Sequence, residues 1–298
     1  MSLVLGSVVV LGGAGVAVWG LRWLRRELTP TRLPHPVPEN SAAPEWVTLP
    51  TAGGKRLYAQ WMPACPASGS RAQGVAILMH GWGGNGSQLR PAAQALWQQG
   101  WSVLLPDARC HGRSDDDTYS SLPRFAQDLA ASLDWCQGQA PAQGGDGPVV
   151  LLGHSLGAAA ALLCASRRPD VQAVVSVSSF AHPESVMRRW LDEYRIPFWP
   201  LGWLVNRYIE RVIGHRFDDI APEATIGRVQ APVLLVHGLQ DDVVPLACAQ
   251  RLQAAAPRAT LLAVPGQHDG FDDEAVLYRQ VTDWLKHQAL DRDGSLVA

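Results

Sequence analysis

The sequence is poor in cysteine, and its cysteines form no pattern. Five stand apart along the chain, at positions 65, 110, 136, 164 and 248, with no C-x-x-C pair. No cysteine–histidine cluster has the spacing of a zinc site, and an odd number of scattered thiols does not indicate a disulfide framework. We therefore predict reduced, partly buried thiols and no structural metal.

An excess of charge of either sign is also missing. Lysine and arginine total 25 against 27 aspartates and glutamates, and the two signs are interspersed along the chain. Nothing in that balance indicates a nucleic-acid-binding surface, and we predict no nucleic-acid partner. With 47% hydrophobic residues among 298, the chain is long enough for one large globular α/β unit.

Charge is absent altogether from residues 2–21, an apolar run long enough to cross a bilayer. Arginines follow at 22, 25, 26 and 32, whereas no basic residue precedes the run as in a cleaved signal peptide. We therefore predict a single transmembrane anchor over residues 1–26, with the membrane as a partner and the catalytic domain in the cytoplasm. The alternative is a buried N-terminal helix, for which the glycines and serines of the run are poor residues.

Proline is concentrated in the next stretch, TPTRLPHPVPENSAAP (29–44), which lacks apolar periodicity. We interpret residues 27–45 as an extended linker to a body over 46–290, with a C-terminal tail over 291–298. On this interpretation, deletion of residues 1–44 leaves a soluble, active body.

The body alternates apolar, β-branched runs with helical stretches. Strands are predicted at 46–49, 57–62, 75–80, 101–106, 148–153, 173–179, 233–238 and 260–265. Helices are predicted near 88–99, 122–138, 156–168, 246–256 and 273–288. The pattern predicts an α/β fold with a mostly parallel sheet, helices on both faces, and chemistry at the carboxyl ends of the strands.

Gly153-His154-Ser155-Leu156-Gly157 lies between a strand and an alanine-rich helix. G-x-S-x-G is a weak signal by itself, but in this context it predicts a sharp turn that exposes the serine hydroxyl. We therefore predict that Ser155 is a nucleophile, with a turn that has no chemical role as the alternative.

A serine nucleophile needs a base, and His268 follows the last predicted strand on a glycine-flanked loop. Six of the other eight histidines are weaker candidates, because they lie in the linker, in the last helix, in the elbow, or in motifs that favour packing: His35, His287, His154, His80, His111 and His237. For the carboxylate that orients the base we favour Asp241, which follows a strand. Asp242 and Asp269 remain alternatives by spacing.

The order Ser, Asp, His, with GHSLG, HGLQDDVVP and GQHDGF, resembles the α/β-hydrolase superfamily over about residues 46–288. The resemblance supports Asp241 as the acid. It also implies an oxyanion hole formed by the backbone N–H groups of Leu156 and of Trp82, the latter in HGWGG. The segment DARCHGRSD (107–115) is similar to a structural motif of the family, with Cys110 where glycine is common.

Serine at the elbow predicts acyl chemistry through an acyl-enzyme, without a cofactor or metal. A long insertion at about 181–230 predicts a helical lid whose aromatic residues line an apolar acyl pocket or pack the lid on the core: Trp190, Tyr194, Phe198, Trp199 and Trp203. We therefore expect an enzyme that hydrolyses a hydrophobic small-molecule ester or thioester. A peptidase or amidase with the same triad, a haloperoxidase-like side activity, or a catalytically silent membrane-tethered scaffold are the alternatives.

Overall fold

The computed structural model describes residues 20–36, 45–64, 72–139 and 146–290. Eight strands form one sheet: β1 (Glu45–Thr51), β2 (Lys55–Met62), β3 (Val75–Met79), β4 (Ser102–Pro106), β5 (Val149–His154), β6 (Ala173–Val177), β7 (Val233–Gly238) and β8 (Thr260–Val264). Their order across the sheet is β1-β2-β4-β3-β5-β6-β7-β8. The pairs β1/β2 and β2/β4 are antiparallel and all the others are parallel. Each strand predicted from the sequence corresponds to one of these eight.

The helices of the described chain are α1 (20–27), α2 (Arg90–Gln98), α3 (Leu122–Gln137), α4 (Leu156–Ala165), α5 (Pro183–Glu193), α6 (Trp203–Ile213), α7 (Phe217–Ile220), α8 (Pro222–Thr225), α9 (Ala247–Ala255) and α10 (Glu274–Leu290). Strand residues alternate between two hydrophobic cores, because successive side chains point to opposite faces of a sheet. Ile77 and Met79 of β3 join the core beneath α3, α4 and α9, whereas Ala76 and Leu78 join the core beneath α2 and α10.

Both faces of the sheet are therefore covered, and the central parallel strands are buried on both sides. This burial explains the continuous apolar sequence of strands such as VAILM in β3, where every residue is buried. Four helices, α5 to α8, lie between β6 and β7, in the stretch that the sequence marks as an insertion.

The prediction of one N-terminal transmembrane helix is wrong. In the part of the chain that the structure describes, no helix is long and apolar enough to cross a bilayer. Residues 2–19 of the predicted span lie outside the described residues, and the described helix α1 carries Arg22, Arg25, Arg26 and Glu27. The prediction of a single-pass membrane location with a cytoplasmic catalytic domain depended on that helix, and it is wrong for the same reason. The prediction of the membrane as a partner is corrected with it.

Four of the five cysteines, at 110, 136, 164 and 248, are free and buried, and Cys65 lies outside the described residues. Burial raises the pKa of Cys164 to about 12, so its thiol stays protonated near neutral pH.

Candidate active site

Ser155 occupies a sharp turn between the end of β5 and the start of α4. Its backbone has φ 54° and ψ −116°, a left-handed conformation that costs a non-glycine residue on the order of 1–3 kcal/mol. The Ser155 N–H donates to the Val177 carbonyl at the end of β6, which ties the turn to the neighbouring strand. The predicted strained turn is therefore present, and it directs the serine to the carboxyl edge of the sheet.

The two flanking glycines are required by close backbone packing. A Cβ on Gly153 would overlap the Gly157 carbonyl, and a Cβ on Gly157 would overlap the Met79 carbonyl at the end of β3. Strand β5, helix α4 and strand β3 thus approach one another at a distance that only glycine permits.

His268 lies between Ser155 and Asp241. Its Nε2 is 3.0 Å from the Ser155 Oγ, and its Nδ1 is 2.8 Å from the Asp241 Oδ2. An ionised Asp241 can only accept, so Nδ1 carries the proton and Nε2 presents a lone pair to the serine hydroxyl. This arrangement can remove the hydroxyl proton and keep the resulting imidazolium next to a carboxylate.

The structure also distinguishes Asp241 from Asp242 and Asp269, the two other carboxylates that were candidates for the partner of His268. The other Asp241 oxygen, Oδ1, accepts the N–H groups of Val243 and Val244 at 3.0 and 2.7 Å, which fixes the carboxylate in a buried loop after β7. Asp242 is exposed. The side chain of Asp269 is 83% exposed and lies 3.7 Å from the His154 Nε2. Within this set, only Asp241 is hydrogen-bonded to His268.

Three further histidines hold the loops around this site. His154 donates from Nε2 to the His268 carbonyl at 2.8 Å, and burial lowers its pKa. His80 donates to the Gly81 carbonyl and accepts the Ala108 N–H, while His237 donates to the Val244 carbonyl. Their hydrogen bonds fix the backbone, in agreement with the loop-fixing role expected for His80 and His237.

The two predicted oxyanion donors belong to the helix that follows the serine and to the loop after β3. Leu156 is the first residue of α4, so its N–H has no acceptor within the helix. The loop after β3 packs against the turn, since a Cβ built on Gly81 would lie 3.2 Å from the Ser155 Cβ. Trp82 follows Gly81 in that loop, is 43% exposed as a residue, and has its ring edge-on to His111.

The segment over 107–115 forms a buried turn beneath the same loop. Arg109 pairs with Asp128 of α3 at 2.8 Å, and Ser114 donates to the Asp107 carbonyl. Cys110 has φ 67°, so it adopts the left-handed backbone for which glycine is the usual residue. The departure from the family pattern at this position therefore leaves the turn itself intact.

The five aromatic residues predicted to line an acyl pocket lie in two groups. Trp190 of α5 and Tyr194, which follows the end of α5, pack on Trp23 of α1, with ring centroids 5.3 and 5.1 Å from that of Trp23. Trp199 and Trp203 stack on each other and are 70% and 40% exposed. The fifth, Phe198, lies beneath the Arg188 guanidinium.

The insertion is also joined to the site by Arg189 of α5, which donates to the carbonyls of Asp242 and Val243 at 2.6 and 3.1 Å. A surface cavity of about 580 Å³ lies along α6 and is lined by residues that do not include the triad: Leu204, Arg207, Tyr208, Glu210, Arg211, Gly214, His215, Arg216 and Asp219.

His154, His268 and Asp269 bring three possible metal-ligand atoms within 4.8 Å of one another. Both ring nitrogens of His268 are already in hydrogen bonds to Ser155 and Asp241, and Asp269 is largely exposed. The donor set therefore fits a serine–histidine–aspartate relay better than a resident metal.

Comparisons with known proteins bear on the family of the chain. The family model described as serine aminopeptidase, S33, matches residues 70–216. The uncharacterized protein Rv2307c of Mycobacterium tuberculosis is 31% identical over 274 residues, which cover 87% of this chain and 85% of that protein. The uncharacterized protein YqkD of Bacillus subtilis is 31% identical over 174 residues, and the match spans only 56% of its length and 57% of this chain.

Among solved structures, the esterase Pf2001 of Pyrococcus furiosus is similar with a TM-score of 0.67, over 87% of this chain and 97% of its own. Its sequence is 20% identical, so this likeness concerns the fold alone. The shared sheet, the family model and a relative matched over most of its length lead to one conclusion: the chain belongs to the α/β-hydrolase superfamily.

Proposed function

We propose that this hydrolase is a serine esterase or thioesterase that forms an acyl-enzyme on Ser155. The observation that carries the proposal is the position of His268, hydrogen-bonded to Ser155 Oγ through Nε2 and to buried Asp241 through Nδ1. A serine hydroxyl becomes an effective nucleophile when such a base accepts its proton.

The reaction begins when Ser155 Oγ attacks the substrate carbonyl and passes its proton to His268 Nε2. The negative charge that develops on the carbonyl oxygen is stabilised by the N–H groups of Leu156 and Trp82, each contributing about 3 to 4 kcal/mol. His268 then protonates the leaving oxygen or sulfur. Water, activated by the same imidazole, releases the acyl group and restores the hydroxyl.

A hydrophobic acyl group suits the apolar side chains on the loops that carry these residues. Trp82 after β3, and Leu239 and Val243 after β7, are 43%, 48% and 38% exposed at the edge of the sheet where Ser155 lies. Such apolar side chains beside a few polar groups are typical of a binding site for an apolar substrate. The five aromatic residues of the insertion remain candidates for lining the pocket, and Arg189, which directly precedes Trp190, contacts the loop that carries Asp241.

An amidase or peptidase is the second candidate, because the family model that matches residues 70–216 is described as a serine aminopeptidase. The same triad would serve, with protonation of a leaving amine by His268. Matched anilide and ester substrates with the same acyl group distinguish the two.

The test is fluorophosphonate labelling of the full-length protein, followed by hydrolysis of p-nitrophenyl esters of increasing acyl length. We expect wild type to label, Ser155→Ala not to label, and the rate to rise beyond acetate. Ser178→Ala is a matched control, because Ser178 also has a positive φ at the end of a strand but is buried. A folded wild type that does not label would favour the catalytically silent scaffold, and a rate that falls steadily beyond acetate would contradict the apolar pocket.

A further inference from the structure

Residues 29–36, part of the stretch interpreted as a linker, are bound to the body of the protein. The Arg32 guanidinium donates to the carbonyls of His111, Gly112 and Ser114 at 3.0, 2.7 and 2.7 Å. These acceptors are 79 to 82 residues away in the sequence. The segment is therefore docked on the turn over 107–115.

His35 joins the segment to a second set of hydrogen bonds with largely buried side chains, and these bonds define which ring nitrogen of His35 carries the proton. The Arg90 guanidinium donates twice to the Gln60 Oε1, so the Gln60 amide nitrogen faces His35 Nδ1 at 3.1 Å and donates to it. Because Nδ1 accepts, the ring proton is on Nε2, which donates to the Asp107 Oδ2 at 2.8 Å. The His35 ring also packs edge-on against Trp46.

Asp107 connects His35 to the loop after β3, because its carboxylate is hydrogen-bonded to both. Its Oδ1 accepts the Gly86 N–H at 2.9 Å, and its Oδ2 also accepts the Arg113 N–H at 2.8 Å. Burial alone would raise the pKa of Asp107, but the hydrogen bonds from His35, Gly86 and Arg113 outweigh burial and lower it. A fully buried carboxylate therefore stays ionised and holds Gly86.

Residues 29–36 also contact the same loop directly. The Asn85 side-chain amide donates to the Leu33 carbonyl at 3.0 Å. Residues 81–86, GWGGNG, contain four glycines and carry Trp82. Glycine-rich backbone has little intrinsic conformational restraint, so contacts with the rest of the chain contribute to the position of this loop.

We infer that His35 is a positioning residue for the oxyanion loop: through Asp107 and Gly86 it fixes the position of the Trp82 N–H. This inference rests on the proposed function, in which that N–H binds the oxyanion. Oxyanion donors act through a placement accurate to about 0.5 Å, so a loosened loop should weaken transition-state binding more than substrate binding.

The experiment compares His35→Phe with His35→Gln in the full-length protein. Phenylalanine keeps a ring against Trp46 but loses both hydrogen bonds, whereas glutamine has one donor and one acceptor to replace them. Activity is expressed per serine titrated to completion with fluorophosphonate, which removes the effect of an unfolded fraction. A boronic acid inhibitor, whose tetrahedral adduct places an oxygen in the oxyanion hole, is measured in parallel.

For His35→Phe we expect kcat per titrated site to fall about tenfold, with KM changed by less than about twofold. The inhibition constant of the boronic acid should rise in parallel, and His35→Gln should recover to within about threefold of wild type. His287→Phe, at an exposed histidine of α10, should match wild type. If His35→Phe does not fold, Arg32→Gln tests the same attachment with a smaller expected fall.

An unchanged kcat per titrated site in His35→Phe would overturn the inference. So would a lower melting temperature with unchanged boronic acid inhibition, because that result is what a purely structural role predicts. A wild-type protein that neither labels nor hydrolyses esters overturns the proposed function, and this inference with it. Labelling and hydrolysis by wild type together with a fully active His35→Phe overturns the inference alone.

Discussion

His80 and His111 lie in contact beneath the loop that carries Trp82, with ring centroids 5.0 Å apart. Burial lowers the pKa of both, that of His111 to about 3, and the His80 ring also opposes protonation of His111. His111 donates from Nδ1 to the Arg109 carbonyl, which defines its neutral form. Two neutral imidazoles in a protein interior make its stability sensitive to acid.

The pH dependence of stability should therefore have a component that belongs to His111. Above about pH 6.5 the His111 imidazole is neutral in both the folded and the unfolded chain, so it does not change the free energy of unfolding with pH. Between about pH 6.5 and 3 the unfolded chain binds a proton that the folded chain excludes. In that range the free energy of unfolding decreases by up to about 1.4 kcal/mol for each unit by which the pH is lowered.

His111→Phe should flatten that dependence, whatever constant offset follows from losing the bond to Arg109. Urea unfolding of wild type and variant between about pH 7 and pH 4 measures the two slopes. Identical slopes would contradict the assignment. His287→Phe, which changes an exposed histidine, should keep the wild-type slope.

The residues of the triad could be predicted from local sequence, since each follows a strand and sits in a distinctive motif. Position after the strand favoured Asp241 over Asp242 and the family resemblance supported that choice, but spacing alone left Asp242 open, because it cannot tell which of two adjacent carboxylates points inward. His35 could not be predicted at all. Its partners Asp107 and Gln60 are 72 and 25 residues away, and nothing near His35 in the sequence indicates them.

At the scale of elements, the crossing of α4 with β3 limits what residue 157 can be. A Cβ on this residue would overlap the carbonyls of Met79 and His80, both of which are backbone atoms that cannot move aside cheaply. The nucleophile and the oxyanion loop approach each other at this crossing.

Gly157→Ala is expected to destabilise the fold by more than about 3 kcal/mol, since overpacking would force β3 and α4 apart. Gly138→Ala is the matched control at a helix end, because its Cβ would meet only the Trp135 carbonyl at 3.4 Å. Melting temperatures of the two variants decide the matter. A Gly157→Ala protein as stable as the control would refute this account of the crossing.

The aromatic residues of the insertion show a limit of sequence interpretation at this scale. Helical periodicity identifies an aromatic face but does not say which surface that face meets. Trp190 and Tyr194 turn out to meet Trp23, and Trp199 and Trp203 meet each other near solvent. The partner of the first pair lies more than 160 residues earlier in the chain, beyond any local pattern.

For the whole molecule, apolar runs predicted the eight strands, and the signal is most continuous in central strands such as β3, which are buried on both faces. Composition was a poorer guide at the N-terminus. Proline-rich sequence without periodicity looks like a free linker, yet residues 29–36 make side-chain and carbonyl contacts that compositional reasoning does not consider.

Deletion of residues 1–44 should therefore be more damaging than the linker interpretation suggests. It would leave Asp107 without His35, and it would remove Trp23 from Trp190, with a cost of about 2 to 4 kcal/mol. Compared with a chain that starts at residue 20, we expect a chain that starts at residue 45 to melt about 5 to 10 °C lower. Equal melting temperatures and equal ester hydrolysis in the two chains would restore the linker interpretation.

The triad spans a long stretch of sequence, and this separation has a consequence for how activity appears during folding. Ser155 and His268 are 113 residues apart, and their contact requires β5, β6, β7 and β8 to pair in order. Contacts between distant residues form after local ones, because the entropy of closing the chain opposes them. The recovery of ester hydrolysis during refolding would thus follow the completion of the sheet. The rate at which activity returns would then report the rate of the last step of folding.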